Sequence, residues 1–523
     1  MFPSRRETPQ HWTILVRIAL LAAFSVETAW RDGGGFPPPS PAEHRGTRSI
    51  FIPSWEGYTV EHRTGTPATG AAGGNVHAAA RRRDSGLILR LLRGRWAVAA
   101  ALGLALVVLA ACGGSGGTGG GTSGSGGSGA GDSGGSGAEA PAAESIKIGV
   151  VFPITGREAK PGQYQKEGVE LAVDQINAAG GIEVAGQQLP LEIVFYDDES
   201  DQAKSASLVQ RAMEQDRVVA VIGGYSTALG QAQSPMPDRY QVPWITPGAA
   251  ASTIFSQGYQ YTFGTLAPVN LLGYTTGEFL GWLADQGKLQ KGLTIALVVE
   301  NTDHGVDYAN GIKQWLEENP GYFEIVVEDV FELGGTDFSG MLQKVKNANA
   351  DIFLSDAHLE DYITMHRQYV QMGLYHQAVS YGARGPEAAA REALGDAVDY
   401  IFAGIWWSKE LPYPQVQKFV QDYNARYGRD PDSWYAATAY DAVRILAKAI
   451  DQADSLDPTA IRDALRQVEL TDSLLPGQRL SFPEHGQVQL PFVIVQNKPG
   501  GQVDIVYPTD AATGEAVAPV PAR

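Results

Sequence analysis

From Ile146 onward, short apolar runs of strand length alternate with stretches of helical periodicity, and the alternation runs through twice. In the first series, strand patterns at residues 146–152, 191–196, 218–222 and 244–245 are separated by helical patterns. These include Val169, Ala172, Val173 and Ile176, residues 203–214, and a run toward Tyr240. The first helix meets a stop signal at Gly180-Gly181. In the second series, strands at 293–299, 324–330, 351–354 and 378–381 alternate with helices at 271–286, 306–317, 341–346 and 361–372. Short β runs spaced by helices need parallel sheets covered on both faces. The expected fold is therefore α/β, with two doubly wound lobes. Three further helical segments (416–427, 434–453, 458–467) precede strands near 480–482, 488–495 and 503–507, so the chain is expected to cross between lobes more than once.

The 523 residues hold one cysteine, Cys112. Before it lies an uncharged, mostly apolar run of fourteen residues, 96–109, and before that Arg81, Arg82, Arg83, Arg90, Arg93 and Arg95. A basic flank, a short apolar core and small residues at its end read as an export signal. Fourteen residues fall short of the roughly 20 that span a bilayer as a helix. Leu109-Ala110-Ala111-Cys112 resembles the lipobox of bacterial lipoproteins, in which the cysteine thiol takes a diacylglyceryl group and becomes the new N-terminus. The mature chain is thus expected to begin at Cys112 and to work outside the cytoplasm, tethered by lipid to the cell membrane on the periplasmic or outer face. Residues 113–144 read as a linker. Residues 113–137 contain 15 glycines in 25 positions, a composition that predicts a coil-like tether spanning roughly 28 Å. Residues 1–95 show no lasting period, and no methionine falls between Met1 and Met213. The reading here is a start assigned too far upstream, with translation beginning near Val76, Leu87 or Leu89.

The net charge of −18 averages two unlike parts. Residues 1–112 carry 13 Lys+Arg against 7 Asp+Glu, which leaves −24 on the remainder. An exported domain this acidic is a poor candidate for binding nucleic acid or anionic lipid. Without a second cysteine, disulfides cannot stabilise it.

Several segments line up with one family. They are residues 148–156, the stretch 170–182 (Glu170-Leu171-Ala172-Val173-Asp174 through Gly180-Gly181-Ile182), Tyr196-Asp197-Asp198, residues 221–227 and residues 242–248. Downstream, residues 300–305, Thr336-Asp337-Phe338 and Tyr440-Asp441-Ala442 continue the series. In this order they resemble the Leu/Ile/Val-binding, type I periplasmic binding proteins, over about 146–507. The resemblance implies two Rossmann-like lobes joined by a three-crossover hinge, closing on a small ligand and presenting it to an ABC permease. The crossings are expected near 267–271, 394–402 and 474–479. That places 145–268 with 398–475 in lobe 1, 269–397 with 476–510 in lobe 2, and 511–523 in a tail.

In open α/β sheets, ligands sit beyond the carboxyl ends of the strands. Residues 223–227 follow a buried strand and offer bare backbone N–H groups with two hydroxyls at a helix start, which suits a carboxylate. Residues 246–252 follow the next strand with small side chains. The resemblance implies that these loops hold the carboxylate and amino groups of an amino acid. That assigns Tyr225, Ser226, Thr227, Gly248, Ala249, Ala250 and Ser252 to the ligand. Where leucine-type binders place a threonine, this chain has Ala250, with Ser252 two positions on. Their second-lobe tyrosine aligns with His358, and their first-loop tyrosine with Pro161, near Tyr164. Tyr435 aligns with an aromatic of the side-chain pocket. Trp406, Trp407 and Trp434 fall near cleft-facing segments, with at least one of Trp406 and Trp407 expected in core or hinge packing. Their ammonium-binding glutamate aligns with Arg384, with Glu387 three residues on. A guanidinium cannot accept from an ammonium but pairs well with carboxylate. The broad expectation stays the branched-chain amino acid class; Arg384 gives the alternative of an amide, aromatic acid or other carboxylate in place of an amino acid, unless Glu387 supplies the carboxylate for the ammonium.

Enzymatic patterns are weak. Residues 224–228 lack the second glycine of a nucleophile elbow. His304, His358, His366, His376 and His485 show no zinc-binding helix pattern with a partner glutamate. Asp197-Asp198-Glu199 reads as a solvated loop rather than a cation site. The expectation is a binding protein without catalysis, cofactor or metal. Its partners would be a small-molecule ligand, an ABC permease and, through the anchor, a membrane, but no nucleic acid. A sensory receptor ectodomain of the same fold is the other reading, which a fused signalling domain would favour.

Overall fold

The computed structural model describes residues 143–522. The signal-like segment, Cys112 and residues 113–137 lie outside the described residues. Strand β1 (Ile146–Phe152) is buried at six of its seven positions, as a strand covered on both faces must be. A hairpin, β2 (Ile182–Val184) and β3 (Gln187–Leu189), comes next; its short, mostly polar strands give no periodic signal. With β4 (Leu191–Asp197), β5 (Ala220–Gly223), β6 (Trp244–Thr246) and β7 (Thr262–Gly264), β1 forms a parallel sheet in the order β4-β1-β5-β6-β7.

Lobe 2 repeats that order. Strands β8 (Leu293–Glu300), β9 (Phe323–Phe331), β10 (Ile352–Asp356), β11 (Ala378–Tyr381) and β12 (Phe402–Ile405) run parallel as β9-β8-β10-β11-β12. After a small hairpin, β13 (Glu469–Leu470) with β14 (Leu480–Ser481), two antiparallel strands extend this sheet beside β12: β15 (Val493–Asn497) and β16 (Val503–Tyr507). In each lobe the first strand thus lies between the second and the third.

The helices that cover lobe 1 are α1 (Ala159–Ala178), α2 (Gln202–Glu214), α3 (Thr227–Gln233), α4 (Pro235–Tyr240) and α5 (Ser252–Phe255). Lobe 2 carries α6 (Val269–Asp285), α7 (Asp303–Glu318), α8 (Ser339–Ala348), α9 (Leu359–Gln371) and α10 (Ala388–Leu394). Then come α11 (Pro414–Tyr427), α12 (Tyr435–Ala453) and α13 (Pro458–Leu465), with α12 packed on α1 of lobe 1. Asp201, Thr302 and Asp457 accept backbone N–H bonds at the starts of α2, α7 and α13. No helix among the described residues is long and apolar enough to cross a membrane.

The chain crosses between lobes three times, and two crossings fall later than expected. The first, at 265–268, adjoins the expected place. The second follows β12, which pairs with β11 and β15 and so belongs to lobe 2, not to lobe 1 from residue 398. Alanine and glycine fill the middle of its four residues, so the run carries no strand signal of its own. The third lies at 489–492 rather than 474–479. Before it, Gln487 bridges Gly264 at the edge of the lobe 1 sheet, with Gly264 N donating to Gly486 O at 2.9 Å and Val488 N to Gly264 O at 3.1 Å. The three crossings are tied together. Trp406 Nε1 donates to Ala267 O at 2.9 Å, Gln487 Nε2 to Leu266 O at 3.2 Å, and Trp406 packs on Phe492. The C-terminal residues fold back on lobe 2, where Val520 N donates to Gln377 O at 2.9 Å.

Gly273, Gly277 and Gly281 form one face of α6, against α7. A Cβ on Gly273 would stand 2.0 Å from Tyr308 O, and one on Gly311 of α7 would stand 1.8 Å from Asn270 O. The backbones touch, so an added methyl must part the helices. Gly311→Ala is expected to destabilise the protein by about 1–3 kcal/mol, lowering the thermal midpoint followed by circular dichroism. An unchanged midpoint would refute the close approach.

Candidate functional site

Where the first strand of such a sheet sits between the second and third, the loops on either side diverge and open a crevice at the carboxyl edge. In lobe 1 the loops after β1 and β5 supply Glu158 and the run Tyr225-Ser226-Thr227. In lobe 2 the loops after β8 and β10 supply Glu300, His304, Asp356 and His358. The loops after the fourth strands, β6 and β11, bring Gly248 and Arg384, and α12 begins with Tyr435.

The lobe 1 turn is held tightly. Gly224 has φ +82, and a Cβ there would stand 2.6 Å from the Trp244 ring. Ser226 follows with φ 63 and ψ 156, a region that glycine alone adopts without strain. Ser226 Oγ and Thr227 Oγ1 are buried and have no hydrogen-bond partner. Tyr225 is bridged to Gly248, where a Cβ would stand 2.6 Å from Gln165 Nε2. Gln165 is fully buried on α1, and neither polar atom of its amide is bonded. Buried polar groups in folded proteins are normally paired, so this concentration of unpaired ones marks the cleft as built to receive polar atoms.

Across the cleft, His358 Nδ1 lies 2.7 Å from Glu300 Oε2, and His304 Nδ1 lies 2.6 Å from Asp356 Oδ2. Burial alone would raise the Glu300 carboxyl, but the His358 charge and hydrogen bond, with His304, outweigh it and hold it down at about 2. Burial works against the His358 charge, and Glu300 reverses that, raising the imidazole above its ordinary range. The contact favours the charged form of both partners of the pair. The second nitrogen of His358, Nε2, is buried without a hydrogen bond and lies 3.8 Å from Glu158 Oε1 on lobe 1. Glu300, His304 and Asp356 bring ligand atoms within 4.8 Å of one another, the spacing a metal ion uses, although both carboxylates already hold an imidazole.

Arg384 is no free cation. Its Nη1 donates to Tyr435 Oη at 2.6 Å and lies 3.5 Å from Glu387, to which Tyr435 donates at 2.6 Å. Burial pushes Glu387 up to about 7, more than Arg384 and the tyrosine hydrogen bond pull it down. Tyr164 stacks on Tyr435, Tyr225 meets it edge-on, and Arg384 lies over the rings of Trp434 and Tyr435. The charge argument that Arg384 repels an ammonium therefore loses its premise, because Glu387 sits beside it.

The structure brings Tyr225, Ser226, Thr227, Gly248, His358, Arg384 and Tyr435 around the cleft, but not the other three expected residues. Ala249 packs into the lobe 1 core against Gly230, and Ala250 O takes a hydrogen bond from Gln487 at the hinge. Ser252 spends its N–H and Oγ on Asp307 of lobe 2, at 2.7 and 3.0 Å. Trp406 belongs to the hinge and Trp407 to the core. Asp198, expected in solvent, is buried, accepts from Ser205 Oγ at 2.8 Å, and is raised by burial to about 6. Sequence reasoning missed Glu158 and Gln165. Both look like ordinary polar positions until lobe 2 and the β6 loop close over them.

Contacts at the rim also join the lobes. Arg157 pairs with Asp361 at 2.5 Å, and Asp303 accepts from Thr253 Oγ1 at 2.7 Å. A cavity of about 380 Å³ lies elsewhere, on the outside of lobe 1 among Gln175, Lys418, Asp422 and Arg444, and no cleft residue lines it.

The sequence pattern of the periplasmic binding protein family matches residues 145–502. The chain is 29% identical over 352 residues to the leucine-, isoleucine-, valine-, threonine-, and alanine-binding protein of Pseudomonas aeruginosa, covering 66% of this chain and 88% of that one. Its fold is similar to the branched-chain amino acid transporter substrate-binding protein LivJ of Streptococcus pneumoniae, solved with isoleucine (TM-score 0.60, 24% identity, 72% of this chain and 100% of that chain). It is also similar to a solute-binding protein of Rhodopseudomonas palustris solved with 4-hydroxybenzoate (TM-score 0.60, 21% identity, 69% and 95%).

The raised Glu387 carboxyl gives a pH signature. Its folded value, about 7, lies above the unfolded 4.5, so its contribution to stability is fully present below pH 4.5 and is lost as pH rises through about 7. Glu387→Gln keeps an acceptor for Tyr435 and removes the titration. The stability of wild type relative to this variant, from denaturant unfolding, should fall across that window with a slope of up to about 1.4 kcal/mol per pH unit. A flat difference would refute the assignment.

Proposed function

Since this chain belongs to the type I periplasmic binding proteins of the branched-chain amino acid family, we propose that it is the extracytoplasmic substrate-binding lipoprotein of an ABC importer, closing two lobes on a small ligand that bears a carboxylate. The observation that carries this reading is the pair of buried, unpartnered hydroxyls of Ser226 and Thr227 at the lobe 1 crevice. A carboxylate has acceptor capacity for both, and hydrogen bonds to a charged group are worth about 1.5–3 kcal/mol each. The ligands named for the solved relatives, isoleucine and 4-hydroxybenzoate, share this group and little else. An aromatic acid is the second reading, supported by the rings of Tyr164, Tyr225, Trp434 and Tyr435.

The site is read as binding without chemistry. A carboxylate-oriented imidazole such as His358 also serves hydrolases as a base, but its Nε2 here faces the Glu158 carboxylate. The lipid anchor rests on Cys112 and its flanks.

Ser226→Ala and Thr227→Val are each expected to weaken carboxylate binding by about ten- to a hundredfold. Calorimetry with alanine, threonine, the branched-chain amino acids and 4-hydroxybenzoate would measure it, and undiminished affinity in both variants would sink the reading. In the native organism, Cys112→Ser should shift the protein out of the membrane fraction. If processing and membrane association stay as they were, the anchor is wrong.

A further inference from the structure

Among the described residues, five amide side chains are buried: Gln165, Gln233, Gln487, Gln496 and Asn497. Gln233 takes the Trp244 indole N–H at 2.8 Å and donates to Ser205 Oγ at 2.7 Å. Gln487 Nε2 donates to Ala250 O and Leu266 O, Gln496 Nε2 to Tyr400 O and Val517 O, and Asn497 Nδ2 to Gly385 O and Val398 O. Of the five, Gln165 alone has neither its nitrogen nor its oxygen bonded. An amide so placed has lost water and gained nothing in exchange. The helix that carries it is held on both sides. A Cβ on Gly162 would stand 1.9 Å from Pro153 O, and one on Gly168 would stand 2.1 Å from Ala436 O, so α1 is pressed against the loop after β1 and against α12.

Position narrows what the missing partners can be. Gln165 Nε2 comes so near Gly248 that a Cβ there would stand 2.6 Å from it, and Gly248 is bridged to Tyr225, the residue before Ser226 and Thr227. The hydroxyls of those two residues are likewise buried without partners. An amide nitrogen donates, and an amide oxygen only accepts. The nitrogen can therefore join the hydroxyls on a carboxylate, but the oxygen needs a donor. Both atoms sit on one carbon, so that donor must stand beside the carboxylate and not at the far end of the guest. A charged donor is drawn to a carboxylate, and the cleft holds Glu158 and Glu387. The neutral amide oxygen suits a neutral donor, of which the hydroxyl is the smallest.

Building on the reading of a carboxylate at Ser226 and Thr227, we infer that Gln165 determines specificity by binding a hydroxyl that the guest carries one or two carbons from its carboxylate. The site thus prefers a hydroxylated acid to the matching acid with a methyl group or a hydrogen in that place. A guest without the hydroxyl leaves the amide oxygen buried and bare, and a site built for a hydroxyl rejects such an analogue for that reason.

Calorimetry on the full chain would compare guests that differ only at that position: threonine with valine, serine with alanine, and 2-hydroxybenzoate with benzoate. Each pair shares its carboxylate, and the first two share their amine, so the affinity ratio within a pair reads the hydroxyl alone. Wild type should favour the hydroxylated member by about ten- to a hundredfold in whichever pair binds. Gln165→Met and Gln165→Leu should each bring the ratio under about threefold, while Ser226→Ala weakens both members and leaves the ratio in place. Because the ratio is taken within one variant, a partly folded preparation does not change it. The inference is overturned if wild type shows no preference, or if the preference survives both Gln165 variants. With Ser226→Ala still weakening binding, either result leaves the carboxylate reading standing alone. Undiminished affinity in Ser226→Ala and Thr227→Val, or binding by no member of the panel, would sink that reading, and this inference with it.

Discussion

Parallel strands leave all their carboxyl ends on one edge of a sheet, and everything in this cleft depends on that constraint. The chain builds the same strand order twice, so each lobe has a crevice where its connections part to either side of the first strand. The hinge ties the crossings through Trp406, Ala267, Leu266 and Gln487 and brings those two edges face to face. Residues from seven separated stretches of chain then meet without any loop having to be long. Lobe 1 brings hydroxyls, an amide and one carboxylate to the meeting. Lobe 2 brings imidazoles paired with acids.

Burying this many charges is costly, and the structure offsets the cost pairwise. The Glu300–His358 pair shows how. The carboxylate favours the charged imidazole, the imidazole favours the charged carboxylate, and the remaining nitrogen is left facing across the cleft. Arg384, Tyr435 and Glu387 form a second, closed arrangement, in which the hydroxyl bridges guanidinium and carboxylate. Ring faces of Tyr164, Tyr225 and Trp434 around it keep water out and sharpen these interactions.

Most of the architecture was legible in the sequence where burial writes a periodic pattern. Strands β1 and β16 stand as apolar runs with the boundaries the sequence led one to expect, and the turn at Tyr225-Ser226-Thr227 follows β5 as a glycine-rich break after a buried strand. The misses have a common cause, which is that long-range closure leaves no local trace. Phe402-Ala403-Gly404-Ile405 becomes a strand because β15 pairs along it, and nothing within those four residues says so. Gln487 joins the lobe 1 sheet edge through a single bridge. Nothing within Thr155-Gly156-Arg157-Glu158 marks Glu158, and the groups that face it across the cleft, Ser226 and His358, come from far along the chain. Arg384 lies at the cleft, but its charge could not be weighed without knowing that Glu387 turns toward it.

The rim contacts have a consequence for selectivity. Arg157–Asp361, Ser252–Asp307 and Thr253–Asp303 join lobe to lobe through side chains that carry none of the unpartnered atoms of the cleft. Whatever free energy they contribute on closure is the same for every guest. They therefore multiply all affinities by a common factor and leave the ratios between guests untouched. Tightness and choice are thereby assigned to different residues. Changes at the rim tune how firmly the protein holds its cargo, while the identity of the cargo is decided in the interior.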